Sequence, residues 1–122
     1  MSANEKLPFE DNLILKLTFA FAIDIIAYAE LLESKKKFVV AKQLTKSGTS
    51  IGANSFEAQN CESNADFIHK FKIAAKEADE TLYWLLICKQ APSYPNPGKL
   101  IDNLNIIAKT ISKIISTSKK KR

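Results

Sequence analysis

Proline and glycine are scarce in this chain, and their scarcity is its first constraint. Its 122 residues hold four prolines and three glycines, and no proline falls between Pro8 and Pro92. Collagen and disordered chains are excluded by that composition. The two cysteines, Cys61 and Cys88, are too few for a disulfide miniprotein. They are too isolated for a metal knuckle or a CxxC redox pair, which points to a reducing compartment. One histidine cannot supply the two Glu-x-x-His pairs of a dinuclear iron bundle. The opening MSANEKLPFEDN lacks the basic-then-apolar layout of a secretory signal, so the expected location is cytoplasmic.

What is present is ordinary globular material, 46% hydrophobic and 25% charged, enough for one self-sufficient core. Eighteen basic against thirteen acidic residues leave a net charge of +5, but Lys119, Lys120, Lys121 and Arg122 account for four of those charges. The rest of the chain is close to neutral, whereas phosphate recognition wants a basic face of defined geometry. Lys35, Lys36 and Lys37 form the other basic run, and Lys42 and Lys46 follow at helical spacing.

Apolar residues recur at intervals of three and four, which predicts helices and no strands. The first helix should run from an N-cap at Asn12 to about Glu33. Its apolar residues, among them Phe19, Phe21, Ile23 and Ile26, surround the whole circumference. Lys16, Asp24 and Glu30 interrupt it too often for a membrane span. A soluble helix apolar on every side needs cover on more than one side, so a second subunit is expected against the face that the core leaves open.

The second helix should follow the turn at 34–37 and reach about Asn60. Val40, Leu44, Ser47, Ile51, Asn54 and Ala58 step alternately by four and three, an a/d seam with two polar members. Gly48 and Gly52 lie on an adjoining face, where a missing side chain lets another backbone approach closely. The third helix should start after a cap at Ser63 and reach about Lys89, with Phe67, Phe71, Ala74, Ala78, Leu82 and Leu85 as its seam. APSYPNP, residues 91–97, is the one real loop, and Asn96-Pro97 form an N-cap and N1 pair for a last helix carrying Leu100, Leu104, Ile107, Ile111 and Ile114. The expected fold is all-α, an antiparallel up-down-up-down four-helix bundle over residues 11–117, with a tail at 1–10 and a basic tail at 118–122.

The run Ser47-Gly48-Thr49-Ser50-Ile51-Gly52-Ala53-Asn54, with Glu57-Ala58-Gln59 after it, resembles the signature of the bacterial four helix bundle protein family, also called the 23S rRNA intervening-sequence protein family. The runs at 66–70 and 76–85 resemble its second block in order and spacing, and the likeness covers roughly residues 10–117. It implies a small antiparallel bundle assembled as a homopentamer, with some members encoded within insertions in large-subunit rRNA genes. It further implies kinship with the pentameric accessory variability protein of diversity-generating retroelements, a basic bundle that binds nucleic acid and a reverse transcriptase. No enzymatic activity and no cofactor are implied. Lys42 and Lys46 stand where relatives commonly carry arginine, and lysine lacks the planar fork that grips phosphate.

Ser47, Ser50, Asn54 and Glu57 fall on one stripe of the second helix, within about 80° at 100° per residue. One reading is a site between helices, with Glu57 facing Glu77 or Glu80. The favoured reading is structural: Ser47 packs tightly, Asn54 satisfies a neighbouring backbone group and fixes helix register, and Glu57 makes a buried hydrogen bond or salt bridge. His69 is expected at the surface, and no nucleophile elbow or oxyanion loop is visible. Tyr83 and Trp84 could stack a base but are read as core or subunit contacts. The expected function is a non-enzymatic homo-oligomeric scaffold, its interface formed by Phe19, Phe21, Ile23, Ile26, Tyr83 and Trp84, with no membrane partner and no evident small-molecule substrate. The alternative is an RNA- or DNA-binding pentamer using Lys35, Lys36, Lys37, Lys42, Lys46 and the residues 119–122 in many copies.

Overall fold

A computed structural model describes residues 7–121. Four helices, and no strand among the described residues, make up the chain: α1 (Leu13–Ser34), α2 (Phe38–Ala58), α3 (Asn64–Gln90) and α4 (Leu100–Lys119). Two of the starts are set by side-chain caps. The Asn12 side chain accepts from the Leu15 amide at 3.3 Å, and the Ser63 hydroxyl accepts from the Asp66 amide at 3.1 Å. Each satisfies an amide that the first turn of a helix leaves without a carbonyl partner.

The end of α1 is a Schellman motif. The Lys36 amide donates to the Glu33 carbonyl at 2.9 Å, the Lys37 amide donates to the Leu32 carbonyl at 2.9 Å, and Lys36 takes the left-handed backbone with φ 63°. The start of α4 differs from the expectation at Asn96 and Pro97. The Asn96 side chain accepts from the Gly98 amide at 2.7 Å and closes a tight turn in which Gly98 has φ +61°. That turn holds the chain out of the helix until Leu100. At its other end α4 runs on through Ser118 and Lys119, into the stretch expected to be tail, and Ser118 is buried with its carbonyl accepting from Asn64 Nδ2 at 2.9 Å.

Each helix packs on its sequence neighbours, and α4 closes back onto α1. Their directions follow from which residues meet. Gly48 lies against Ile25 while Gly52, farther along α2, lies against Thr18, nearer the start of α1. Ser47 meets Thr81 while Glu57 meets Lys70, so α2 and α3 also run oppositely. Asn64 at the start of α3 bonds Ser118 at the end of α4. Ile25, Leu32, Leu44, Ile51, Phe71, Leu85, Leu104, Ile107 and Ile111 fill the centre with less than 2% exposure.

α1 and α2 approach each other closely at two glycines. A Cβ on Gly48 would stand 2.9 Å from Ile25 Cγ2, and one on Gly52 would stand 3.1 Å from Thr18 Oγ1 and 3.4 Å from the Thr18 carbonyl oxygen. Thr18 is itself buried there, its hydroxyl donating to the Ile14 carbonyl at 2.8 Å. The tight-packing reading of Gly48 and Gly52 thus fits what surrounds them. No helix among the described residues is long and apolar enough to cross a membrane.

Gly48→Ala gains about 1 kcal/mol of helix propensity but overpacks Ile25 at a cost of roughly 1–3 kcal/mol. The net expectation is destabilisation, a fall in melting temperature of about 2–6 °C by calorimetry. Ile25→Val in the same chain should not recover it, because valine keeps both γ carbons that the new Cβ meets.

Candidate functional site

The polar stripe of α2 is assembled against α3 by two contacts. Ser47 and Thr81 are both completely buried, their hydroxyls hydrogen-bonded at 3.0 Å, and the Thr81 hydroxyl also lies 2.7 Å from the Glu77 carbonyl. About three turns further along, at the surface and not buried as expected, Lys70 Nζ donates to Glu57 Oε1 at 2.8 Å. The carboxylate beside it raises the Lys70 pKa. Glu57 therefore meets a lysine of α3 and not Glu77 or Glu80, which lie two to three turns further along α3, toward the level of Ser47 and Thr81. The Glu80 carboxylate accepts from Trp84 Nε1 at 3.3 Å on its own helix.

Asn54 satisfies a backbone group, but one of its own helix. Its Nδ2 donates to the Ser50 carbonyl at 2.9 Å, one turn back in the same helix, and Ser50 Oγ donates to the Lys46 carbonyl at 2.6 Å. These bonds satisfy α2 internally and do not bridge helices, so the buried contact linking α2 to α3 is Ser47 with Thr81. Thr81 was missed because the a/d seam of α3 was drawn through apolar residues alone. Its spacing from Ala74, Ala78, Leu85 and Cys88, three or four residues at each step, was the available signal. The seam is fully satisfied and holds no nucleophile paired with a base, and no group of three metal-ligating side chains exists among the described residues.

The apolar residues of α1 divide between two surfaces. Phe21 is 2% exposed and belongs to the protomer's own core, because it shares a stripe with Ile14, Ile25, Tyr28 and Leu32. It is therefore no contact for a second subunit. Phe19, Ile23 and Ile26 are 42%, 54% and 41% exposed and lie within about 60° on the outer side of the helix. Beside Phe19 a groove of about 340 Å³ opens between α1 and α2, floored by Thr18 and Gly52 and walled by Phe9, Phe19 and Phe56. Phe9 and Phe56 escaped sequence reasoning: Phe9 precedes the helix and carries no periodicity, and Phe56 lies off the α2 seam. On α3, Tyr83 is 61% exposed and edge-on to the half-buried Trp84, their ring centroids 5.6 Å apart.

The lysines do not gather on one face. Lys35, Lys36 and Lys37 sit in the turn between α1 and α2, where Lys37 Nζ stands 5.0 Å from the Tyr94 ring centroid. Lys119, Lys120 and Lys121 lie at the opposite end of the bundle, about 30 Å away at 1.5 Å per helical residue. Lys42 and Lys46 are exposed along α2 between them, and Arg122 lies outside the described residues, as do residues 1–6 of the expected N-terminal tail. At the first end the Tyr28 hydroxyl donates to the Pro95 carbonyl at 2.6 Å and ties the loop at 91–99 to α1. Burial pushes the Tyr28 phenol and the neighbouring Cys88 thiol up, so both stay protonated at neutral pH, and Cys88 is a packing residue and no thiolate.

The class these observations define is the all-α antiparallel four-helix bundle, here with a satisfied polar seam inside and an open apolar face on α1. The model of the 23S rRNA-intervening sequence protein family matches residues 10–117, and the chain belongs to that family. It is also similar to the crystal structure of a protein with unknown function from the S23 ribosomal protein family of Bacteroides thetaiotaomicron VPI-5482. The two are 38% identical with a TM-score of 0.78, over 84% of this chain and 97% of that one. No curated protein matches the chain.

Thr81→Val strips the Ser47 hydroxyl of its partner in a dry interior and should cost about 1–2 kcal/mol in urea unfolding. Asn54→Ala, which removes one local bond at the half-exposed surface, should cost about 0.5 kcal/mol. Ser47→Ala combined with Thr81→Val should restore part of the loss, because neither hydroxyl then lacks a partner.

Proposed function

We propose that this protein is a non-enzymatic scaffold that works by associating with copies of itself, the outer α1–α2 face being one of its contact surfaces. The row Phe19, Ile23, Ile26 is the observation that carries this reading. Scattered exposed apolar residues are normal on soluble proteins, but a contiguous row beside an apolar groove marks an interaction surface. A closed ring joins unlike faces of neighbouring subunits. Tyr83 and Leu86 on α3, the latter 44% exposed, supply a second apolar patch away from the first. A ring of five is the number that the family resemblance implies. Free thiols at Cys61 and Cys88 suit the cytoplasm.

Size-exclusion chromatography with light scattering at micromolar concentration should give a stable oligomer. Ile23→Glu should convert it to a monomer with unchanged helical circular dichroism, because Ile23 contributes little to the protomer's core. A wild-type chain that stays monomeric overturns the reading.

Nucleic-acid binding is the second reading, favoured by the full exposure of the lysine run at the end of α4, which a ring would repeat around one rim. RNA or DNA affinity should then fall steeply as salt rises, and only for the assembled form. No binding at low salt, or affinity indifferent to salt, ends it.

A further inference from the structure

Phe9 belongs to none of the helices. Residues 7–12 form a turn ahead of α1, in which the Glu10 amide donates to the Leu7 carbonyl at 3.2 Å and the Asn12 amide to the Phe9 carbonyl at 2.9 Å. The turn throws the Phe9 ring back over the junction of α1 and α2. Its centroid stands 5.1 Å from that of Phe19 on α1 and 6.1 Å from that of Phe56 on α2, in tilted and edge-on contacts. The ring thus forms one wall of the apolar groove whose floor is opened by the missing side chain of Gly52. Two of the polar contacts that join this turn to the bundle lie in solvent: Asn12 Nδ2 donates to Gln59 Oε1 at 3.3 Å, and Glu10 pairs with Lys16 at 3.9 Å. Exposed contacts of this kind exchange readily with water.

We propose that Phe9 is a displaceable lid on the α1–α2 face, competing with a second copy of the chain for the surface of Phe19. The proposal rests on the self-association reading above. Phe19 begins the row that continues through Ile23 and Ile26, so a copy that covers the row along its length meets the Phe9 ring at its first residue. One aromatic surface cannot be covered twice. The turn at 7–12 therefore weakens assembly by holding part of the contact surface for its own chain, and a mutation that removes the ring strengthens it.

Sedimentation velocity over a concentration series on the full chain tests this, with Phe9→Ala beside the wild type. The dissociation constant of the oligomer should fall on the order of tenfold in Phe9→Ala, the surplus expected from one ring's worth of apolar surface released to the partner. A constant that rises makes Phe9 part of the subunit contact, and one that does not move makes it a bystander; either overturns the lid. A second measurement keeps the test independent of assembly. An anilinonaphthalene sulfonate dye, added to protein diluted until monomeric, should fluoresce severalfold more strongly with Phe9→Ala than with the wild type, and Ala53→Glu in the groove wall should abolish the gain. Equal fluorescence overturns the lid. If the dye responds but neither protein associates at any concentration, the self-association reading has failed, and with it the competition.

Discussion

The rest of the molecule depends on how near α1 comes to α2. At Gly48 and Gly52 the two helices leave no room for a side chain, since any Cβ would meet Ile25 or Thr18 inside ordinary van der Waals distance. Such an approach fixes register by shape, for Ile25 and Thr18 are two turns apart on α1 and each must find its glycine. It also flattens the outer side of the pair. With nothing projecting from Gly52, the apolar side chains that flank it, Phe19 and Phe56, edge a groove rather than meeting over a ridge. A single packing constraint in the interior thereby produces the surface on which the functional reading stands.

The architecture was legible in the sequence because its signals were local and redundant. Caps at Asn12 and Ser63, the four-three seams of α2 and α4 and the isolated proline-rich loop each name one boundary or one face, and the structure has them except that Asn54 and Ile114 are only half-buried, Ser55 being buried beside the first. Less legible was whatever depends on which helices meet and at what height. Periodicity places Glu57 on a face of α2 but says nothing of the residue opposite, and a two-turn difference in height exchanges Glu77 for Lys70. The same holds for Phe21 and Ile23, neighbours but one in an all-round apolar helix. Only the position of α2 and α4 decides that one is core and the other open. Asn96 failed for a different reason: its side chain can cap a helix or close a turn on Gly98, and both look alike on paper.

Charge follows the helix ends more closely than it follows any ligand-shaped surface. Lys35 is the C-cap of α1, Lys89 lies in the last turn of α3 and Lys119 in the last turn of α4, where cations offset the negative end of the helix dipole. Because the bundle alternates direction, this placement sends positive charge to both ends. Part of the lysine content is thus accounted for by helix ends before any partner is considered. A basic composition in such a protein carries little information about nucleic acid unless assembly brings like ends together.

Hydrophobic side chains that the fold does not need are a better guide. Ile23 and Ile26 contribute little to the core, and a polar residue at either position would leave the seams, the caps and the Gly48 contact as they are. The protomer's own stability gives no reason for isoleucine there, while solubility gives a reason against it. The polar stripe of α2 shows the converse. Ser47, buried beside Thr81, would be apolar if the core alone set its identity, and a paired hydroxyl there selects the register in which the pair can meet. Interior polarity and exterior apolarity each run against what one subunit requires. The first is accounted for by fixing how α2 sits on α3, and the second is what the proposed self-association would account for, with another copy over the outer side of α1.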